Sequence, residues 1–289
     1  MTRILHLSDT HISRTGPDMD GVDAVGALEG LLRDVRHVPG LDAVVVSGDV
    51  ADDGSAAGCH TVRERVGAFA AGRGIPHLYC TGNHDARSAF REALGSGHLG
   101  PGGENRGRPL AGTEGACAAV SEIAGVRVIT LDSLVPGQTH GLLGDQQLAA
   151  LADELATASE RGTALVLHHP PLGIEWIPSV RRVVLHDIDA LASVVRGSEV
   201  RAILTGHLHF AHLGHLAGVP TWVTPGVVTR IDTTAPAHLV RGVLGAGATV
   251  VDLPDDGGAP GFHVLHARDH RAGEQVYLYD AETGADARE

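Results

Sequence analysis

The sequence predicts an α/β fold in which parallel strands alternate with helices. Three short runs rich in β-branched and other apolar residues, at 3–8, 41–46 and 76–80, are typical of buried strands. Apolar residues recur at helical spacing between them, over about 21–37 and 55–72. Strands separated by helices pair in parallel through right-handed crossovers. In such sheets a ligand site lies outside the carboxyl ends of the strands, so functional residues are expected there.

The rest of the chain predicts more strands than helices. A short helix over 87–94 precedes the Gly- and Pro-rich stretch 95–115, which is the longest predicted loop and is either a flexible lid or an inserted excursion. A hairpin follows, and Asp145 is expected to cap the next helix. The remaining predicted elements are hairpin strands 116–123 and 126–131, helix 146–159, strand 163–167, helix 187–196, strand 200–204, an antiparallel pair over 213–216 and 219–224, and C-terminal strands over 250–253, 262–266 and 275–279.

The composition excludes several classes of function. Formal net charge is −13 over 289 residues, and all 22 basic residues are arginine. An acidic chain without a basic cluster is not expected to bind long nucleic acid, whose affinity depends on neutralised phosphates. The absence of lysine excludes Schiff-base chemistry and a Walker A phosphate loop. No apolar run approaches the roughly 20 residues that a membrane span needs, so no membrane partner is expected.

Cysteine usage favours a reducing compartment. The three cysteines are an odd number and have no Cys-x-x-Cys spacing. A strand that begins directly after Met1 leaves no room for a signal peptide. A cytoplasmic protein with reduced thiols is therefore predicted, and a homodimer is kept as a candidate assembly.

Polar residues of metal-ligand type follow five of the predicted strands. Each piece alone has an ordinary explanation: Asp9 and His11 could be a helix cap and a surface histidine, and 82–85 could be a turn. Asp9 and His11 are two apart on an extended chain, as are His207 and His209, so each pair can reach a common point. The candidate ligands at the strand ends are Asp9, His11, Asp49, Asn83, His84, His168, His169, His207 and His209.

This set of side chains predicts two metal ions. It contains imidazoles, carboxylates and one amide but no cysteine, which suits Mn, Fe or Zn. There are too many ligands for one tetrahedral ion, and they fit two ions bridged by one carboxylate. Two carboxylates do not cancel the charge of two divalent cations, so the centre would attract an anionic phosphodiester.

Several other polar residues are left outside the predicted metal site. Asp52 and Asp53 are expected to be solvated or to cap a helix. Arg14 and Asp85 are close to the site in sequence, and either could contact the metal ligands without binding a metal ion itself. Surface or structural roles are expected for His60, His98, His140, His212 and His215, although the last two could line the approach to the site.

The motifs, taken in order, resemble those of the calcineurin-like metallophosphoesterase superfamily. They are Asp-x-His at 9–11, Gly-Asp at 48–49, Gly-Asn-His-Asp at 82–85, His168, and Gly-His-x-His at 206–209. Within the superfamily the chain resembles the class III cyclic-nucleotide phosphodiesterases, and glycerophosphodiesterases share the layout. The resemblance implies two packed mixed β-sheets flanked by helices. It spans 1 to about 230, so we expect a catalytic core over 1–230 and a strand-rich C-terminal extension over 231–289 packed on it.

The resemblance also implies a role for each candidate residue. Asp9, His11 and His209 would hold one metal ion, and Asn83, His168 and His207 the other, with Asp49 as the bridge. His84 would stabilise the transition state or protonate the leaving alkoxide. His169 would contact the metal ligands without binding a metal ion itself, and Asp85 could do the same. Iron and manganese are the favoured metals.

The implied function is hydrolysis of 3′,5′-cyclic nucleotides, cyclic AMP to 5′-AMP, by in-line attack of a metal-bound hydroxide. A first alternative is another small phosphodiester, either a glycerophosphodiester or a 2′,3′-cyclic nucleotide. A second alternative is a non-catalytic scaffold that binds protein partners. Scaffold members of such families usually lose ligands, and none is missing from this sequence.

Overall fold

The computed structural model describes residues 1–288 and shows three β-sheets with five α-helices. The strands are β1 (Thr2–Leu7), β2 (Ala43–Ser47), β3 (His77–Cys80), β4 (His98–Leu99), β5 (Arg108–Pro109), β6 (Ala119–Ile123), β7 (Val126–Thr130), β8 (Thr163–Val166), β9 (Val200–Thr205), β10 (His212–Leu216), β11 (Val219–Val223), β12 (Arg230–Ile231), β13 (Leu239–Val243), β14 (Gly247–Leu253), β15 (Gly261–His266) and β16 (Gln275–Asp280). The helices are α1 (Ala24–Asp34), α2 (Ala56–Ala71), α3 (Arg87–Leu94), α4 (Gly144–Leu155) and α5 (Ile188–Val195), with 3₁₀ turns at Val35–His37 and Pro178–Arg182.

The two large sheets are mixed, and their central strands are parallel. The first has the order β15-β14-β1-β2-β3-β4, and the second β10-β11-β9-β8-β7-β6-β5. Strands β1, β2 and β3 run parallel, as do β7, β8, β9 and β11. The carboxyl ends of parallel strands lie at one edge of their sheet, so the loops after β1, β2 and β3, and those after β8 and β9, are brought together.

Alternating side chains divide the core into layers. Val45 of β2 packs between the sheets, in one cluster with Val128 of β7 and Leu204 of β9. Its neighbour Val44 points the other way and packs in the cluster that contains Leu28 of α1, because successive side chains of a strand face opposite sides. Helices α4 and α5 cover the outer face of the second sheet. This arrangement confirms the expected sandwich of two mixed sheets flanked by helices.

The C-terminal region is shared between two sheets. Strand β14 pairs antiparallel with β1, and β15 pairs with β14, so both are integral to the first sheet. Strands β12, β13 and β16 form a separate three-stranded sheet. The division of the chain at residue 230 stays a prediction. Because β14 pairs with β1, this strand is part of the first large sheet and is not packed on its surface.

Local details differ from the sequence-based expectations at three places. Helix α1 begins at Ala24, after the Asp23 side chain accepts a hydrogen bond from the Gly26 amide at 2.9 Å. Helix α4 is capped by Asp187, which accepts from the amide of Gly144 at 2.8 Å, and not by Asp145. The stretch 95–115 is not one long loop, because it contains β4 and β5 at the edges of the two large sheets.

Within the described residues, no helix combines the length and the apolar character that crossing a bilayer requires. Cys59, Cys80 and Cys117 are free, buried thiols.

Candidate metal centre

The strand-end loops adopt a backbone conformation that few residues tolerate. Positive φ angles are found at Asp9 (56°), His11 (44°), Asp49 (45°), His207 (69°) and His209 (52°). For residues other than glycine this conformation costs of order 1–3 kcal/mol, and it persists only where the surroundings enforce it. Here the loops after β1 and β2 hold each other, since the amide of His11 donates to the carbonyl of Asp49 at 3.0 Å. The backbone that carries these predicted ligands is thus strained, and hydrogen bonding between the two loops holds it in place.

Gly48 lets one imidazole approach the backbone closely. Its φ is 96°, and a Cβ atom there would lie 2.5 Å from Nδ1 of His168. The Nδ1 atom of His168 is 2.8 Å from the carbonyl oxygen of Ser47, which can only accept, so Nδ1 carries the hydrogen. In the neutral ring, the lone pair is therefore on Nε2.

The lone pair of His168 faces three other potential ligands. Its Nε2 atom lies 3.1 Å from Oδ2 of Asp49, 3.2 Å from Oδ1 of Asn83 and 3.2 Å from Nδ1 of His207. Four electron-pair donors from four different loops thus converge on one point. This composition suits a divalent cation better than a hydrogen-bond network, because there are too few hydrogens for so many acceptors.

A second group of donors lies beside the first. Nδ1 of His209 is 3.2 Å from the carbonyl oxygen of Thr229, and in the neutral ring this leaves the Nε2 lone pair facing Oδ1 of Asp9 at 3.3 Å. Nε2 of His11 is 4.0 Å from the same Asp9 oxygen and 3.6 Å from Oδ2 of Asp49. That His11 nitrogen is buried and has no hydrogen-bond partner among the described residues. A buried unpaired polar atom is costly, and a bound cation would satisfy it.

Asp49 belongs to both groups. Its Oδ1 atom accepts a hydrogen bond from the amide of His84 at 2.8 Å. Its Oδ2 atom is the oxygen that faces both His168, at 3.1 Å, and His11, at 3.6 Å. Ligand atoms, one each from Asp9, His11 and His209, lie within 4.8 Å of one another, as do one each from Asp9, Asp49 and His168. The residues present therefore fit two divalent ions that share one carboxylate.

Asp52 is a site residue that the sequence analysis missed. Its side chain is buried, and Oδ1 accepts a hydrogen bond from Nδ1 of His11 at 2.9 Å. The same oxygen lies 3.4 Å from Nδ1 of His84, whose ring also faces the Asp52 carbonyl at 3.0 Å. The expectation that Asp52 is solvated or caps a helix is wrong. The available signal was chemical: a metal-binding histidine needs an acceptor for its second ring nitrogen, and Asp52 is the acidic residue nearest to Asp49 in sequence.

Burial and neighbouring charged groups shift the pKa values of the site histidines. Burial alone would lower the pKa of His84, but Asp49 and Asp52 outweigh it and raise the pKa to about 10. Burial also opposes the charge on His168, yet Asp49 raises its pKa to about 9. Burial lowers the pKa of His207 to about 3, and the neighbouring His168 adds to the effect. The two buried carboxylates thus dominate the local potential, which is what binding of cations requires.

His169 and Asp85 lie behind the two ligand groups. Nδ1 of His169 pairs with Oγ of Ser133 at 2.8 Å, and its ring packs against that of His207 with centroids 4.6 Å apart. The Asp85 carboxylate accepts from the backbone amides of Val50, Ala51 and Gly82 at 2.9–3.1 Å. Asp85 therefore ties the loop after β2 to the loop after β3, and its oxygens are already occupied by these bonds.

The other polar residues from the sequence analysis lie away from this centre. His98 is buried and bonds with Ser121 and Thr130, and His140 stacks on His186 with centroids 4.0 Å apart. Arg14 is exposed and pairs with Asp53 at 2.8 Å. His60 is an exposed residue of α2, and His212 and His215 are on β10. These positions agree with surface or structural roles.

A cavity of about 470 Å³ opens over the ligand groups. Its lining includes Asp49, Asn83, His84, His207 and His209. Its other walls come from the 3₁₀ segment around 176–183 and from the small C-terminal sheet. The stretch 95–115, for which a lid was one expectation, supplies none of the described residues that line this cavity.

Comparison with known proteins gives a consistent result. Residues 2–211 match the family model of the calcineurin-like phosphoesterases. The chain is 38% identical over 261 residues to the cAMP/cGMP dual specificity phosphodiesterase of Mycobacterium tuberculosis, covering 88% of this chain and 76% of that protein. It is 36% identical over 259 residues to a protein of Rhodococcus erythropolis named as a probable cyclic nucleotide phosphodiesterase, covering 88% of this chain and 80% of that protein.

Among solved structures, the protein TT1561 of Thermus thermophilus has a similar fold. The TM-score is 0.57 at 12% sequence identity, and the match covers 92% of this chain and 99% of that one. Similarity at this level of identity concerns the arrangement of strands and helices alone.

Proposed function

This chain belongs to the calcineurin-like phosphoesterase family, and from that premise we propose that it is a phosphodiesterase that hydrolyses 3′,5′-cyclic nucleotides at a dinuclear metal centre. The observation that carries the proposal is the pair of ligand groups that share Oδ2 of Asp49, with His84 beside them. The names of the two relatives, at 38% and 36% identity, support cyclic nucleotides as the substrate class.

In this proposal, Asp9, His11 and His209 hold one divalent ion and Asn83, His168 and His207 hold the other, with Asp49 as the shared ligand. When bound, the two ions would neutralise phosphate charge and lower the pKa of a coordinated water molecule towards neutrality. The donor set contains nitrogen and oxygen without sulfur, which supports manganese, iron or zinc. Iron and manganese remain the favoured pair.

The protein's own contribution is to position these groups and to handle the proton of the leaving group. His84 lines the cavity, and its Nδ1 is held by the Asp52 carbonyl at 3.0 Å and faces the Asp52 carboxylate. This leaves Nε2 as the nitrogen for hydrogen bonding to the leaving alkoxide and for proton transfer to it. Asp52 thus orients His11 and His84 together, which fixes the imidazole of the proton donor relative to a metal ligand.

The same proposal includes a cytoplasmic location and leaves the assembly open. The three cysteines are all free thiols, which supports a reducing compartment. A homodimer stays a prediction, and the elution volume of the purified protein in size-exclusion chromatography tests it.

A substrate panel tests the proposed function. The purified protein, reconstituted with Mn²⁺, is incubated with 3′,5′-cyclic AMP, 2′,3′-cyclic AMP, a glycerophosphodiester and a chromogenic aryl phosphodiester. An Asp9→Asn variant purified in parallel controls for contaminating phosphodiesterases. We expect 5′-AMP to be formed from 3′,5′-cyclic AMP at the highest kcat/KM of the panel.

The other outcomes distinguish the alternatives. Preference for the glycerophosphodiester or the 2′,3′-cyclic nucleotide would retain the dinuclear centre and replace the substrate. Inactivity on all four compounds, with two metal equivalents measured in the protein, would contradict the enzyme proposal and favour the scaffold alternative.

A further inference from the structure

The cavity over the metal centre is larger than the phosphate end of a diester requires. The strand-end ligands are only part of the lining of its roughly 470 Å³. The lining also includes aromatic and aliphatic residues: Trp176, Val180, Phe210, Val240, Tyr277 and Tyr279. An ester bound by its phosphate at the ligand groups can therefore place its remaining part against these side chains, since both sets of residues line one cavity, here called the chamber.

The small C-terminal sheet presents two tyrosines to the chamber. Tyr277 and Tyr279 are two apart on β16 and so point to the same side of the strand. Their rings are stacked, with centroids 5.7 Å apart and an angle of 29° between the planes. Tyr277 lies flat across β13, since a Cβ atom on its cross-strand neighbour Gly242 would be 2.2 Å from the ring. The absence of a side chain at Gly242 therefore creates the space for this aromatic surface.

The second wall of the chamber is the segment around Trp176. Trp176 is 60% exposed and Tyr279 is 37% exposed. Both rings line the same cavity. Arg182, in the 3₁₀ turn that follows Trp176, donates a hydrogen bond at 2.5 Å to the carbonyl of Ala281, directly after β16. The two walls are thus joined to each other at the edge of the chamber.

We propose that this chamber is the nucleobase site, in which Trp176 and Tyr279 contact the base while its phosphate is held at the ligand groups. This inference rests on the proposed function and extends it to the determinants of specificity. Exposed aromatic rings next to a polar centre offer a flat apolar surface that suits the π-face of a base. A small diester without a base, such as a glycerophosphodiester, would leave these rings without a partner.

Product inhibition isolates the contribution of the base. Hydrolysis of a chromogenic aryl phosphodiester is measured with 5′-AMP or ribose 5-phosphate as the competitor, because these two compounds differ only in the base. In the parent protein we expect 5′-AMP to inhibit more strongly. In Trp176→Ala and in Tyr279→Ala we expect the inhibition constant of 5′-AMP to rise about tenfold, in line with the typical strength of base stacking, and that of ribose 5-phosphate to stay unchanged.

Matched variants separate the contact from a loss of structure. Tyr279→Phe and Trp176→Phe keep an aromatic ring and should keep most of the preference for 5′-AMP. Leu213→Ala removes an exposed apolar side chain on β10, outside the chamber, and should have no effect. Trp176 is so exposed that its truncation is not expected to unfold the protein, and thermal unfolding of each variant checks this.

Two results would overturn the nucleobase site. The first is an unchanged inhibition constant of 5′-AMP in both alanine variants, and the second is an equal loss of affinity for ribose 5-phosphate. Failure of the proposed function looks different, since the parent protein would then form no 5′-AMP from 3′,5′-cyclic AMP, whether or not it hydrolyses the other phosphodiesters of the panel.

Discussion

Oδ1 of Asp52 accepts a hydrogen bond from Nδ1 of His11 at 2.9 Å. This contact turns the Nε2 atom of His11 towards Asp49 and Asp9. The same carboxylate oxygen lies 3.4 Å from Nδ1 of His84. One buried carboxylate therefore orients a proposed metal ligand and the proposed proton donor together, so the geometry of the two functions is coupled.

Asp52→Asn should weaken both functions without unfolding the protein. The asparagine side chain has nearly the shape of aspartate, but it lacks the negative charge that fixes the tautomer and the orientation of His11. We expect the affinity for Mn²⁺ and kcat each to fall by about 10- to 100-fold, as is typical for such supporting carboxylates. Calorimetric metal titration and phosphodiester hydrolysis measure the two effects. Asp53→Asn is the matched control, because Asp53 pairs with the exposed Arg14; equal losses in both variants would contradict this account.

His84→Ala should separate the chemical step from metal binding. His84 contributes only its backbone amide to Asp49, and alanine retains that amide. We expect two metal equivalents to remain bound and kcat on 3′,5′-cyclic AMP to fall by about 10²- to 10⁴-fold, the usual contribution of a positioned acid–base group. Hydrolysis at the parent rate would show that this imidazole has no role in the reaction.

Asn83→Ala should weaken metal binding as well as catalysis. The Oδ1 atom of Asn83 faces Nε2 of His168 at 3.2 Å, so its removal takes one oxygen from a ligand group. We expect the bound metal to fall from two equivalents towards one at limiting Mn²⁺, measured by elemental analysis after gel filtration. Asn105→Ala makes the same chemical change in the segment between β4 and β5, where the amide bonds with Ser96. Full metal content in Asn83→Ala would rule out this ligand.

Chelation of metal should lower thermal stability. Without cations, the buried Asp9 and Asp49 carboxylates repel each other and the buried Nε2 of His11 lacks a partner among the described residues. A ligand present at 100 times its Kd stabilises the native state by about 2.7 kcal/mol per site. We expect the Tm to rise with Mn²⁺ concentration after treatment with a chelator. The rise should be largely lost in Asp49→Ala, which removes the shared ligand; a Tm independent of metal in the parent protein would contradict the fit.

The buried ring of His98 should make the fold sensitive to mild acid. Burial lowers the pKa of His98 to about 3, whereas an unfolded histidine titrates near 6.5. The unfolded state therefore binds a proton that the folded state does not, and stability falls as the pH drops from about 6.5 towards 3. Between pH 7 and pH 5 this group should reduce the free energy of unfolding by about 2 kcal/mol.

Denaturant titrations at the two pH values check this effect. In His98→Gln, which keeps a polar side chain between Ser121 and Thr130, the pH-dependent loss should shrink by about that amount. His270→Gln, at a fully exposed ring, should keep the parent pH dependence. The same dependence in the parent and in His98→Gln would mean that His98 does not titrate on unfolding.

The sequence by itself predicted the order of the helices and of most strands, without β4, β5, β12 and β13, and it supplied the residues of the candidate site. Each predicted ligand follows directly on a buried strand, and the apolar run and the polar residues after it are adjacent in the chain. Parallel pairing then requires the ends of β1, β2 and β3 to meet at one edge. This pairing accounts for Asp9, His11, Asp49, Asn83 and His84. His168, His207 and His209 follow strands of the other sheet, and the sequence analysis assigned them to the same cluster by their ligand chemistry and by the order of the motifs.

Only the tertiary structure decided which groups support that cluster. Asp52 and Thr229 become partners of His11 and His209 through contacts that span 41 and 20 residues of chain, and no local pattern marks them. Likewise β14 joins β1 across more than 240 residues, and Tyr279 reaches the cavity through β16. Local periodicity records which face of an element is apolar, but it carries no information about which distant element that face will meet. Tertiary packing decides which elements meet, and their contacts determine the shape of the cavity in which we place the nucleobase.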